Sequence, residues 1–285
     1  MTARVPNCPH MTLTLLGTGA AEGWPAAFCR CPACQNARTK RGREIRTRSG
    51  ALWDDDFKID FGPDTMMQMQ REGRDLSQLT TLVFTHGHDD HFAPAELQYR
   101  RRGFITQGPE LPMLHVYANE EVHARLEQEY PLPGAEREMR MTLHAPLVPL
   151  QPVTTHAGDT LLPLPATHAR GALLLRLSRG GRHVLYGHDS GPFPEETVQA
   201  LAGLPLHVAL LDCNYGDGPA GGLHMGIPEM LDTVRRLQAV GAITAQTQIV
   251  ATHFSHNGRL GHDALVARLS PQGVQTAYDG LALTV

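Results

Sequence analysis

The sequence predicts an α/β protein folded as a four-layer αββα sandwich, two sheets face to face with helices outside. In each half of the chain, short β stretches of antiparallel character come first and β–α alternation follows. The polar residues supply a second observation. His86, His168, Asp189 and His253 each fall just beyond the C-terminal end of a predicted strand. Loops held by rigid strands are where a site is assembled from distant sequence.

The elements follow in order. TLTLL (12–16), SGALWDD (49–55) and FKIDFG (57–62) have β character, and PDTMMQMQREG (63–73) opens on proline and closes on glycine, which reads as a helix. TTLVF (80–84) is a strand, HFAPAELQYRR (91–101) a helix, MLHVYA (113–118) a strand, and NEEVHARLEQEY (119–130) an amphipathic helix with an asparagine cap. Residues 131–152 are proline-rich and expected to be irregular. Strands are predicted at 160–165, 172–178, 182–187, 207–213 and 248–253, helices at 192–203, 226–241 and 262–270, and the chain ends in VQTAY and LALTV. No repeat or long linker divides the 285 residues. Residues 1–10 are expected to be a loose terminus, and 11–285 a single domain.

Composition bounds the function. Hydrophobic content of 41% with 19% charged residues is ordinary for a soluble globular chain, and a net charge of −4 points to no nucleic-acid or membrane partner. No 18-residue apolar run exists, and the opening MTARVPNCPHMTLTLLG lacks the pattern of a secretory signal, so a cytoplasmic location is expected. Three of the five cysteines stand as C-x-C-x2-C (Cys29, Cys31, Cys34), away from Cys8 and Cys213. In a reducing compartment, clustered thiols read as metal ligands before disulfides. Sixteen histidines raise the weight of metal chemistry further.

The stretch THGHDDH (85–91) has the form H-x-H-x-D-H: His86, His88, Asp90, His91. Alternation points His86 and His88 the same way, while Asp90 and His91 turn toward a second point. Imidazole with carboxylate suits divalent zinc, manganese, iron or nickel. One segment cannot complete two coordination shells, so further ligands must come from His168, Asp189 and His253. Three thiolates lack one ligand for a closed tetrahedral zinc, and His256, three residues past His253, is the candidate fourth. His224 lies in the glycine-rich GGLHMGIPEML, where a histidine that charges near pH 7 could protonate a leaving alkoxide. His188 is expected to point away from Asp189's face, and His115, His144 and His156 match no motif. The basic run RTKRGREIRTR (38–48) reads first as a solvated face, with steering of an anionic substrate as the second reading.

With PATH (165–168), HDS (188–190) and ATH (251–253) downstream of THGHDDH, the chain resembles the metallo-β-lactamase-fold hydrolases over almost its whole length. The resemblance implies one metal on His86, His88 and His168, a second on Asp90, His91 and His253, and Asp189 bridging them. It also implies Asp60, in FKIDFG, as an orienting partner behind the ligands. The cysteine cluster, the opening TLLGTGAAEGWPA and the ending SHNG resemble the cyclic phosphodiesterase branch serving phosphonate breakdown. There Cys3His holds a structural zinc, and a histidine stands where His224 does. The implied activity is hydrolysis of a small cyclic phosphate ester, with zinc or manganese at the paired site and Asp189 and His224 in catalysis; Arg170, two residues after His168, is placed by its position as a candidate phosphate contact. A transfer-RNA-processing ribonuclease and a non-enzymatic metal-containing carrier of cofactor biosynthesis are the alternatives. Nucleic acid and membrane partners are not expected, and a homodimer is left open.

Overall fold

The computed structural model describes residues 11–105, 110–131, 134–218 and 220–285; the expected loose terminus, 1–10, lies outside them. Two seven-stranded mixed sheets form the body. The first holds β1 (Thr12–Gly17), β2 (Gly50–Trp53), β3 (Phe57–Ile59), β4 (Thr81–Val83), β5 (Leu114–Tyr117), β6 (Met141–Leu143) and the last strand, β14 (Leu281–Thr284). The second holds β7 (Val153–Thr154), β8 (Thr160–Pro165), β9 (Leu173–Arg179), β10 (Arg182–Gly187), β11 (Val208–Asp212), β12 (Gln248–Thr252) and β13 (Val274–Thr276). Their orders are β14-β1-β2-β3-β4-β5-β6 and β13-β12-β11-β10-β9-β8-β7. Each sheet runs antiparallel as far as β3 or β10 and parallel beyond it.

The period-2 pattern places the core. Ala51, Trp53, Phe57, Ile59 and Val83 of the first sheet share one buried cluster with Leu161, Leu175, Val184 and Leu210 of the second. The alternate residues Leu52, Leu82, Leu114 and Val116 face outward into a separate cluster. Met69 of α2 (Thr65–Glu72) and Val122 and Leu126 of α3 (Glu120–Glu129) cover that outer face. Over the second sheet lie α5 (Glu195–Ala200), α6 (Ile227–Ala239) and α7 (His262–Leu269), whose Met230, Val234, Leu237 and Leu265 join the central cluster. Gly73 closes α2 in the left-handed conformation, and the Asn119 side chain accepts from the Val122 N–H at the start of α3, as its sequence predicts.

Some elements depart from expectation. The predicted helix at 91–101 is a 3-10 helix over Pro94–Arg100, and it begins at Pro94 because proline fits only the first turn. Inside the stretch expected to be irregular lie α4 (Gly134–Met139) and β6, whose three residues are held by pairing with β5. An unpredicted helix, α1 (Pro32–Lys40), starts at Cys31, whose sulfur accepts from the Cys34 N–H. The basic run is neither a solvated face nor a steering patch throughout. Arg46 is buried on Thr18, the Ala277 carbonyl and His262, Arg38 holds the carbonyls of Ala26 and Cys29, and Arg48 pairs with Asp64.

Candidate metal centre

Each predicted ligand of the paired site, and Asp60 with them, stands on a loop leaving a strand C-terminus, and both sheets present those ends to one edge. Asp60 follows β3, the THGHDDH loop follows β4, His168 follows β8, Asp189 follows β10 and His253 follows β12. Turning these side chains inward takes unusual backbone. Asp60, Asp189 and His253 have φ of 56°, 59° and 60°, left-handed values that cost a non-glycine residue about 1–3 kcal/mol. Gly62 lets the loop after β3 touch the one after β4, since a Cβ there would overlap the Asp90 carbonyl.

The structure gathers the donors into two sets that share Asp189. His86, His88 and His168 surround it on one side, and Asp90, His91 and His253 on the other, all ligand atoms of each set lying within 4.8 Å of one another. Asp189 Oδ2 stands 3.2 Å from His86 Nε2 and 2.9 Å from His91 Nε2, and Oδ1 stands 3.3 Å from both His168 Nε2 and His253 Nε2. The far nitrogens are tied down. His91 Nδ1 meets Asp60 Oδ2 at 2.7 Å, His86 Nδ1 meets Thr85 Oγ1 at 3.0 Å, and His253 Nδ1 meets Ser49 Oγ at 3.0 Å. Such partners aim each Nε2 at the shared point and fix its tautomer. Asp60 is itself held by the Thr85 N–H and hydroxyl.

Divalent ions fit this arrangement. His86 Nε2, His91 Nε2 and Asp189 Oδ1 are buried and make no hydrogen bond, although buried polar atoms ordinarily have a partner. Burial pushes His168 down to about 4, so its imidazole is neutral and its lone pair available. Burial lowers His91 too, but Asp90 and Asp60 outweigh it and hold the imidazole well above its usual range. Asp189 is fully buried, which raises it, yet His253 and His86 keep it well below the usual carboxylate range. Buried carboxylates crowded in this way call for positive charge, which divalent metal would provide.

His224 Nδ1 stands 3.0 Å from Asp212 Oδ2 and 3.4 Å from Asp189 Oδ1. Asp212, fully buried at the end of β11, also accepts from the backbone N–H groups of Asp189, Asn214 and Met225. Asp189, Asp212, His224 and His253 thus form a further cluster of ligand types. The backbone donors already occupy Asp212, however, which suits it to orienting His224 rather than to binding an ion. Sequence reasoning missed Asp212, although an acid at a strand end was the same signal that marked Asp189. It also missed Ser49 and Thr85, which carry no local signal. His188 does not point away as expected. It is buried, its ring 5.3 Å from His253's and 6.2 Å from His91's. His115, His144 and His156 stack together outside this edge. Arg170 is exposed and makes no hydrogen bond or ion pair among the described residues.

Cys29, Cys31, Cys34 and His256 form the remaining cluster. His256 Nδ1 lies 3.7 Å from Cys29 Sγ and 3.6 Å from Cys31 Sγ. A tetrahedral zinc with ordinary bond lengths places N and S about 3.6 Å apart. Burial pushes Cys34 up to about 12; Cys31 falls to about 7, burial being outweighed by bonds from the Cys34 N–H, Cys29 and His256. His256 Nε2 faces Glu22 at 3.5 Å.

Two facing mixed sheets, with histidines and aspartates collected where their strands end, define the metallo-β-lactamase-fold class of metal-dependent hydrolases. The chain belongs to the beta-lactamase superfamily domain family, whose family model matches residues 57–254. It is 24% identical over 316 residues to coenzyme PQQ synthesis protein B of Klebsiella pneumoniae, covering 96% of this chain and 98% of that one. Among solved structures, a diphosphatase from the PhnP family is 25% identical, with a TM-score of 0.72 over 96% of this chain and 97% of the other. Zinc-bound PqqB from Methylobacterium extorquens is 18% identical, with a TM-score of 0.75 over 96% and 100%. Among the described residues no helix is long and apolar enough to cross a membrane.

Proposed function

We propose that this chain is a metal-dependent phosphodiesterase acting on a small, cyclic phosphate ester, the only partner the site requires. The observation that carries the reading is His224, seated on the buried Asp212 at 3.0 Å beside the Asp189 cluster. His86, His88 and His168 would hold one ion, Asp90, His91 and His253 another, with Asp189 available to both; zinc or manganese suits these donors. Bound there, the ions supply Lewis acidity toward a phosphoryl oxygen and lower the pKa of water.

The chain's own residues do the rest. Asp189 orients the attacking water in line with the departing oxygen. His224, with Nδ1–H on Asp212, presents Nε2 and donates its proton to the leaving oxygen as the phosphorus bond breaks. Asp212 fixes the tautomer and steadies the imidazolium, as a carboxylate does behind a catalytic histidine. Arg170, exposed and two residues past His168, meets a phosphate oxygen. Cys29, Cys31, Cys34 and His256 hold a zinc that ties α1 to the turn after β12 and contributes folding energy. Their free thiols suit a cytoplasmic, reducing compartment.

The likeness to a PhnP-family diphosphatase supports a phosphoryl substrate. The likeness to coenzyme PQQ synthesis protein B favours a second reading, a metal-containing carrier of cofactor biosynthesis. A carrier has no evident need for a bridged metal pair with a proton donor beside it. The test is turnover of bis-p-nitrophenyl phosphate by protein loaded with manganese, zinc or nickel. Turnover that falls about 10²–10⁴-fold in His224→Ala, with metal content unchanged, is expected. No turnover with any of these ions would favour the carrier, and preferential cleavage of precursor transfer RNA would favour a ribonuclease.

A further inference from the structure

Helix α3 lies against the two loops that carry His86, His88 and His168, and Asn119 and Arg125 hold one loop each. Asn119 caps the helix through Oδ1, which accepts from the Val122 N–H at 2.9 Å, while its Nδ2 donates to the Gly171 carbonyl at 2.8 Å. Gly171 stands three residues past His168, where the chain turns back into β9. Arg125 Nη1 donates to the Gly87 carbonyl, between His86 and His88. Its guanidinium also covers the Phe92 ring at 4.5 Å and meets Asp89 at 3.6 Å; Asp89 is exposed, so that ion pair adds little. Gly87 is pressed against the helix, since a Cβ there would come within 2.9 Å of Glu121 Oε1. Val122 and Leu126 are buried against the first sheet, which makes α3 a fixed support. The other donors are held from elsewhere. Asp60 meets His91 Nδ1, the Phe61 N–H donates to the His91 carbonyl at 2.9 Å, and Ser49 meets His253. Those supports come from the loops after β3 and before β2.

We infer that Asn119 and Arg125 are positioning residues that set the metal affinity of the His86, His88 and His168 site alone, leaving the Asp90, His91 and His253 site to its own supports. The inference rests on the paired-metal part of the proposed function and not on its substrate. Three imidazoles bind one ion tightly only when their nitrogens already stand at the corners of its shell, and outer partners that keep them there are worth about 10–100-fold in affinity. His88 is exposed and meets His168 at 3.1 Å across the two loops, so backbone anchoring decides that spacing more than packing does. Thr167 ties the near end of the His168 loop to Ser190 and Pro192, and α3 supplies the tie at its far end.

Zinc-loaded protein dialysed against graded dipicolinate, with the retained zinc counted by elemental analysis, tests this without turnover. Asn119→Asp keeps the helix cap, since a carboxylate also accepts from the Val122 N–H, and loses the donor to Gly171. Arg125→Met keeps an apolar stem over Phe92 and loses the donor to Gly87. In each variant one zinc of the pair should bind about 10–100-fold more weakly than in the parent, with the other ion and the thiolate zinc unchanged. In a His168→Ala background, where that ion is already lost, Arg125→Met should change nothing further. Val122→Ala is the control: it should lower the melting temperature by loosening the helix and leave both zinc affinities as they are. Variants that keep the pair as tightly as the parent, or that loosen both ions alike, would overturn the inference. So would a Val122→Ala protein that loses zinc as readily as Arg125→Met, since affinity would then follow helix stability. A parent that retains no zinc pair overturns the paired-metal reading together with this one. Selective zinc loss in a protein that hydrolyses no phosphodiester would support the inference and overturn only the proposed substrate.

Discussion

Replacing Asp212 by asparagine removes one charge and turns one of its oxygens into an amide nitrogen. The carboxylate accepts from Asn214 N at 3.0 Å and Met225 N at 2.9 Å on Oδ1, and from Asp189 N at 3.1 Å and His224 Nδ1 at 3.0 Å on Oδ2. The remaining oxygen stays with the two backbone donors of the turn, so the new NH2 faces the Asp189 N–H and His224. One buried backbone donor is then left without a partner, a cost of about 1–3 kcal/mol in stability. His224 can accept from the new amide only with Nδ1 bare, so the imidazolium meets a donor where it needs an acceptor. Losing that charge-assisted bond should slow turnover by about 10²–10³-fold, or ~3–4 kcal/mol of barrier. Asp212→Asn should therefore show reduced kcat on bis-p-nitrophenyl phosphate, a modestly lower melting temperature and unchanged metal content. If metal is lost in proportion to activity, Asp212 and His224 hold an ion instead of a proton; if kcat is unchanged, the pair has no part in the chemistry.

Asp189→Ala should strip both ions of the paired site and abolish turnover while circular dichroism stays that of a folded protein. Cys31→Ser should release about one zinc and lower the melting temperature, read by elemental analysis and calorimetry. Lys58 is buried, its Nζ 5.5 Å from the Phe61 ring and making no hydrogen bond among the described residues, and burial lowers it to about 8. Between that value and its ordinary 10.5 the unfolded chain binds more protons than the folded one, so stability rises with pH across this window. Lys58→Met should remove that rise in urea titrations and stabilise the protein by ~3 kcal/mol at pH 7. A less stable Lys58→Met would mean that the ammonium has a compensating partner.

How much the sequence reveals depends on how local each signal is. Alternation at Ala51–Phe57 and glycine closure of α2 act over a few residues, and these elements form where expected. His86, His88, Asp90 and His91 are legible because four donors crowd into one loop. Asp212 and Ser49 are not, since their roles exist only once β11, β12 and the loop before β2 meet at one edge. Helix α1 escapes notice because only Cys34 and Ala37 are buried along it, too few for a helical period. In the basic run, Arg46 looks like its exposed neighbours, and only the docking of His262 and Ala277 makes it internal. The stack of His115, His144 and His156 joins residues from the margins of both sheets, a proximity no linear pattern encodes.

The most direct test of the account is anomalous diffraction from crystals of the metal-loaded protein, with elemental analysis of the same preparation. The account predicts three ions per chain: a pair about 3.5–4 Å apart astride Asp189, and a single zinc among Cys29, Cys31, Cys34 and His256. A lone ion near Asp189, or none there in protein that still turns over a phosphodiester, would contradict it.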